Sequence, residues 1–339
     1  MRNAGQTLTL TPIADTSARF SDFAPYAAAI NDAGTVAFQA ALRDGSTGVF
    51  AGSGGSVASL TERAGTAVTR FYSHPDIDDK GGSCVYGLLA SGHEGILLAK
   101  DGAVISVADT SGPFTRIGPL GPTMNDRGAV AVRADTQAGR SGVFTGAHGG
   151  SIVTVADTGG FAGFQGLPVI TGKGTVVFRA DLSTGGHGIY LSRGQGPEAV
   201  AVTGERFHTL GLFPSGNNED TVVFSATLNG GGAGIFRASD GKVSTIADTN
   251  DGFESFRGAL INDSGTVFFY ATPRGGRLGI YAGADPVRDA VLSVGDALFG
   301  STVVELALNP VSINGRGQLA IRVRLANNLQ RIVRAEPAA

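Results

Sequence analysis

The chain has no tryptophan, a single cysteine, two methionines and only 16% charged residues, and each shortage narrows what it can be. Without tryptophan there is no indole platform of the kind expected along the floor of a long sugar-binding cleft. One cysteine, Cys84, excludes an internal disulfide framework and fits a reducing compartment. No apolar run approaches the ~18 residues that a membrane-spanning helix needs. The N-terminus also lacks the apolar centre of a signal peptide. Basic residues are not in excess: 26 Lys and Arg stand against 29 Asp and Glu, a formal net charge of −3. No basic stripe interleaved with aromatics therefore points to nucleic acid. These shortages predict a cytoplasmic location for the chain as it stands, or export if its N-terminus has been trimmed. The Gly-x-Ser-x-Gly elbow, the phosphate loop, the dinucleotide fingerprint and zinc-ligand spacing are all missing, so neither cofactor nor metal is expected.

Glycine is plentiful, at 53 residues, and 42% of the chain is hydrophobic, which suits a turn-rich β-protein with a large core. A tripeptide Gly-Val/Ile-Phe/Tyr/Leu recurs at Gly48, Gly95, Gly142, Gly188, Gly234 and Gly279, with spacings of 47, 47, 46, 46 and 45 residues, and Arg331-Ile332-Val333 makes a degenerate seventh copy. A period of roughly 40–50 residues in strand-rich units indicates propeller blades. The fold expected is all-β: one seven-bladed β-propeller domain over 1–339, with repeats at about 7–55, 56–102, 103–150, 151–196, 197–241, 242–286 and 287–339.

Within the repeat at 151–196, Ser151–Thr158 alternates as an outer strand d. A Gly/Phe loop follows, then Leu167–Ile170 as inner strand a, Gly174–Leu182 as strand b and Gly188–Ser192 as strand c. The last repeat stops after strand c, at Arg331–Arg334, whereas Thr7–Thr16 reads as a strand d with no blade before it. Closure by pairing 7–16 with 329–335 follows, since it removes an open sheet edge. Phe38, Phe178, Phe224 and Phe268, on strand b, are expected to be buried beside the strand-c aromatics.

The a–b turns read Asn31-Asp-Ala-Gly34, Asn125-Asp-Arg-Gly128, Asn262-Asp-Ser-Gly265 and Asn314-Gly-Arg-Gly317. Asn and Asp favour turn entry, and Gly supplies the positive φ. The spacing lacks the alternating oxygen ligands of a calcium loop. With the strand that follows, the turn spells Asn31-Asp-Ala-Gly-Thr-Val-Ala-Phe38, with variants ending at Val132 and Phe269. This resembles the bacterial tandem-repeat proteins characterised by an NxxGxxAF motif, over essentially the whole chain. The resemblance implies repeat and fold, and it carries no active-site residue.

Two positions recur around the ring. Asp15, Glu62, Asp109, Asp157, Asp248 and Asp296 share one, read as a strand-end cap or inter-blade bond. Gln39, Tyr86, Arg133, Arg179, Ser225, Tyr270 and Arg322 share the other, read either as pairing between blades or as a ring facing a ligand. Function should lie where the pattern breaks. In Arg70-Phe-Tyr-Ser-His-Pro-Asp76, Tyr72 and His74 share one face of an extended segment, and Arg116 and His208 precede their own inner strands. One expectation is an enzyme acting on a small or mid-sized anionic ligand at a polar, cationic channel mouth. Tyr72 or His74 would be its base and His208 its acid, with Arg70, Arg116, Arg257, Tyr86 and His93 binding the ligand. A carboxylate neutralised by arginine has a more acidic α-proton, so β-elimination or isomerisation would suit this lyase- or isomerase-like set. The alternative is a non-catalytic propeller that binds a ligand or a protein partner. His187 reads as solvated in its turn, His148 as lying on the opposite face, and Cys84 as a packed thiol.

Overall fold

The computed structural model describes residues 8–25, 28–61 and 67–337, and among them every regular element is a strand. Seven antiparallel sheets of four to five strands form a ring, a seven-bladed β-propeller. Blade 4 shows the order: strand a Gly163–Ile170, b Val176–Asp181, c His187–Ser192 and d Pro197–Val202. Blade 7 closes the ring as expected. Its strands a, b and c are Ser301–Ala307, Leu319–Leu325 and Gln330–Pro337, and its strand d is the N-terminal Leu8–Asp15, paired from Leu8↔Pro337 to Asp15↔Arg331.

The repeated tripeptide has a packing cause. In blade 5, Phe207 of strand a, Phe224 of strand b and Phe236 of strand c form one cluster with centroids 5.1–5.8 Å apart. Side chains two apart on a strand share a face, so the strand-c aromatic folds back over the glycine before it. A Cβ at Gly234 would lie 3.1 Å from the Phe236 ring and 2.7 Å from the Ala247 carbonyl oxygen, which leaves room only for glycine. Phe38, Phe178, Phe224 and Phe268 are all buried. Phe268 nonetheless faces the other way, into the cluster shared with blade 7, and Phe269 takes the repeat position against Tyr281.

What reads in the sequence as a Gly/Phe loop is the outer half of strand a. Phe164 pairs with Ala180, and the register then shifts between Gln165 and Val169. In blades 3 and 5 the same strand breaks in two, as Phe114–Ile117 with Thr123–Met124 and Phe207–Leu210 with Ser215–Gly216. This break in strand a forms the wall of the central channel.

The Asn of the a–b turn does two jobs. Asn217 Oδ1 accepts the Thr221 amide at 3.1 Å, and Asn217 Nδ2 donates to the Asn262 carbonyl of the next blade at 3.0 Å. The same reach runs from Asn31 to Asp78, Asn125 to Thr171, Asn262 to Asn314 and, across the closure, Asn314 to Asn31. The motif thus clasps five of the seven blades to the next, with Asp78 and Thr171 in the place of Asn in blades 2 and 4. Asn217→Ala should lower stability by about 1–3 kcal/mol in urea unfolding, because it strands a buried carbonyl and an amide. A change below about 0.5 kcal/mol would contradict the clasp.

Candidate functional site

Many of the polar repeat positions serve the ring. From strand b, Gln39 Nε2 reaches the Phe71 carbonyl, Arg133 Nη1 that of Gly166 and Ser225 Oγ that of Arg257, each on the next blade. At the start of strand c, Thr47, Glu94, His187 and Gln330 accept the amides of Phe71, Ile117, Leu210 and Phe23. His187 is therefore not a solvated turn residue: its Nε2 accepts the Leu210 amide at 2.9 Å, and burial lowers its pKa. The acidic position is a cap. Asp15, Asp109, Asp157 and Asp248 each accept the amide two residues on. Glu62 lies outside the described residues. Asp296 does not belong to the set, because Ser293 pairs with Gly279 where Asp248 pairs with Gly234.

At the end of the channel bordered by the d–a and b–c loops lies a cavity of about 290 Å³ to which all seven blades contribute. Its wall is mostly apolar, built from Pro25, Leu120, Leu167, Phe213, Leu306 and Leu308, with His74, Tyr270 and Arg257 among them. The expected polar, cationic mouth is corrected here. The break in strand a brings leucines and phenylalanine to the channel, and of the predicted arginines only Arg257 lines it.

His74 reaches the cavity through a local distortion. Strand a of blade 2, Val68–Ile77, shifts register between Tyr72 and Asp76, and Ser73 sits at φ 62, where blade 4 has Gly166 at φ 69. That conformation is costly for serine. It is held by the Gly121 amide, which donates to Ser73 Oγ at 2.9 Å. A Cβ on Gly121 would come within 2.4 Å of the His74 carbonyl oxygen, so glycine is required there too. His74 Nδ1 lies 3.2 Å from the Pro75 carbonyl, which can only accept, so Nδ1 carries the hydrogen and Nε2 is a bare acceptor. Nε2 is buried and has no hydrogen-bond partner among the described residues. Burial lowers the His74 pKa to about 4, so the ring is neutral near pH 7. Tyr270 complements it. Its hydroxyl accepts the Leu308 amide and keeps its own hydrogen to donate, and burial raises its pKa.

The other predicted site residues lie elsewhere. Arg70 sits 5.3 Å over the Tyr72 ring, and Tyr72 packs on Tyr86 at 5.1 Å. His93 Nδ1 is 3.4 Å from Thr110 Oγ1. Arg116 lines a different cavity, between blades 3 and 4. His208 is exposed on the outer half of its strand and does not line the channel cavity. The expected constellation is thus divided: His74 and Arg257 line the channel cavity, whereas Tyr72, Tyr86, Arg70, Arg116, His93 and His208 do not. Sequence reasoning missed Tyr270 as a cavity donor and Phe213 as a wall. Leu212-Phe213 follows Gly211 as Pro119-Leu120 follows Gly118, so no break in the repeat marks Phe213 in the sequence. Cys84 is packed as expected: it is fully buried, and burial pushes its thiol pKa up. His148 is exposed, with Nδ1 3.2 Å from the Ser106 carbonyl.

The far end of the channel is lined by the a–b turns and by Asp76. Asp76 accepts the Ile77 and Met124 amides at 2.8 and 2.7 Å, the second across to blade 3. Thr123 makes the equivalent bond to Ile170. Burial raises the Asp76 pKa to about 7 from 3.8. Between those values the folded chain binds a proton that the unfolded chain does not, so stability gained at low pH is lost as pH rises towards 7. From pH 5 to pH 8 the unfolding free energy of the wild type should fall by about 1–3 kcal/mol relative to Asp76→Asn. Parallel pH profiles for the two proteins would contradict this.

Residues 92–331 match the family of unknown function DUF7453, and the chain belongs to that family. No curated protein matches the sequence. Among solved structures the chain is similar to an oligogalacturonate lyase from Vibrio parahaemolyticus, with a TM-score of 0.60 and 10% identity over 97% of each chain. It is also similar to the β-propeller domain of the Trilobed protease from Pyrococcus furiosus, with a TM-score of 0.58 and 9% identity over 93% of this chain and 94% of that one. That domain is described as having an open velcro topology, whereas here the N-terminal strand closes the last blade. YCF48 bound to D1 peptide gives a TM-score of 0.50 and 12% identity over 98% and 99% of the two chains. At these identities the likeness is one of fold.

Proposed function

We propose that the chain is a ligand-binding propeller whose channel cavity takes a compact, mostly apolar molecule carrying one anionic group. The observation that carries this reading is the composition of the wall: leucine, proline and phenylalanine enclose about 290 Å³, and Arg257 is the cation among them. The cavity lies near the lower end of the range in which small molecules bury most of their surface. Among the described residues Arg257 has no ion-pair partner, so its charge is open to a carboxylate or sulfonate. The Tyr270 hydroxyl would donate a hydrogen bond to the ligand. An acid–base reaction needs a base and an acid across one ligand. Tyr72 and His208 lie outside the cavity and Tyr270 holds its proton, so binding is favoured over catalysis. The YCF48 structure with a bound peptide supports a propeller of this shape serving as a binding module.

8-Anilinonaphthalene-1-sulfonate, an apolar body with one sulfonate, tests the reading. It should bind saturably at one site, with octanoate competing. Arg257→Ala should weaken binding about tenfold or more, equivalent to one charge-assisted contact of about 1.4 kcal/mol or more. Leu167→Arg, which places a charged chain in the cavity, should abolish it. Titrations unchanged in both variants would overturn the proposal.

A further inference from the structure

The cavity between blades 3 and 4 is larger, about 490 Å³, and its chemistry is opposite to that of the channel. Arg116, Arg133, Asp135, Gln165, Thr158 and Asp181 line it. Among the described residues neither Arg116 nor Arg133 has an ion-pair partner, although two carboxylates share the cavity. The reason is local. Asp135 is the cross-strand neighbour of Arg116, but its carboxylate takes the Ser141 hydroxyl at 2.6 Å. Asp181 is held by Arg179 Nη1 at 3.1 Å and Gln165 Nε2 at 3.2 Å. Arg133 is fixed by one bond, from Nη1 to the Gly166 carbonyl at 3.1 Å, and its other guanidinium nitrogens have no hydrogen-bond partner among the described residues. Burial holds its pKa below the ordinary arginine value, with Asp135 and Asp181 pulling it up and Arg116 pushing it down.

We propose that this cavity binds a hydroxylated carboxylate, with Arg116 and Arg133 bridging the carboxylate and Asp135 and Asp181 accepting hydroxyl hydrogens. Two guanidiniums that make no direct ion pair with the nearby aspartates suit a planar carboxylate, which they can grip through parallel N–H bonds. The two aspartates keep free lone pairs beyond the bonds named above, since an ionised carboxylate has about four acceptor sites. Those lone pairs welcome hydroxyl donors and repel a second negative charge, so the set discriminates against phosphate. This site is separate from the channel cavity, with which it shares no lining residue.

The test is thermal unfolding of the full chain with gluconate, acetate or inorganic phosphate at matched ionic strength. Gluconate should raise the midpoint saturably, with acetate and phosphate giving at least tenfold weaker responses. Arg116→Ala should raise the half-saturating gluconate concentration at least tenfold, and this variant removes no hydrogen bond or ion pair found among the described residues. Arg116→Lys should fall between the two, because it keeps the charge and loses the paired bonds. Binding of 8-anilinonaphthalene-1-sulfonate should be unchanged in Arg116→Ala. An equal gluconate response in wild type and Arg116→Ala overturns the proposal, as does a phosphate response matching that of gluconate. Loss of the sulfonate probe in Arg116→Ala would overturn the independence of the two cavities.

Discussion

Removal of residues 1–16 is expected to leave a propeller that still closes its ring but aggregates and unfolds at lower temperature. Leu8–Asp15 supplies the whole outer strand of blade 7 and buries Ile13 against Phe20 and Phe50. Its loss bares the outer edge of Gln330–Pro337, a row of unpaired amides and carbonyls ready to pair with another copy. The ring itself keeps other bonds across the seam. Asn314 Nδ2 donates to the Asn31 carbonyl at 2.8 Å, Ser312 Oγ to that of Ala28 at 2.6 Å, and the Phe23 amide to Gln330 Oε1 at 3.4 Å. The thermal midpoint should fall by about 5 °C or more, on a scale of about 2–4 °C per kcal/mol for domains somewhat smaller than this one. Light scattering should show concentration-dependent assembly. A truncated chain that stays monomeric at the wild-type midpoint would contradict closure by this strand.

Phe224→Ala should be among the most damaging single substitutions. Phe224 is fully buried, and its ring lies 5.6 Å from Phe207 and 5.8 Å from Phe236, so removing it leaves a cavity that rigid strands cannot fill. The expected cost is about 3–5 kcal/mol in urea unfolding. Phe213→Ala, at a residue 37% exposed on the channel wall, should cost under about 1 kcal/mol. Equal costs at the two positions would mean that the assignment of blade interior and channel wall is reversed.

Blade number, strand order and closure were readable because each repeat must solve the same packing problem. The glycine before each strand-c aromatic recurs because a Cβ there would strike the ring, and Asn recurs in five of the seven a–b turns because its side chain serves both its own turn and the next blade. The site was harder to read for a physical reason. Channel residues such as Leu120, Leu167 and Phe213 sit where strand a breaks, and there the alternation that marks strand faces fails. His74 stood out in the sequence, yet its entry into the cavity depends on Ser73 at positive φ and on Gly121 in the neighbouring blade. Arg116 stood out equally and lines another cavity, because the outer half of strand a, which read as a loop, faces the gap between blades rather than the channel. Tyr270 reads in the sequence as one of the strand-b polar residues, of which Gln39, Arg133 and Ser225 reach the next blade, as its own hydroxyl does through Leu308.

On the proposed function, the channel cavity holds an apolar body with its anionic end at Arg257. A crystal of the full chain soaked with 8-bromooctanoate measures this directly, since bromine can be located by its anomalous signal. One bromine peak is expected in the cavity among Leu120, Leu167 and Leu308, with the carboxylate within hydrogen-bonding distance of the Arg257 guanidinium. An empty cavity, or bromine only at sites away from these residues, would contradict it.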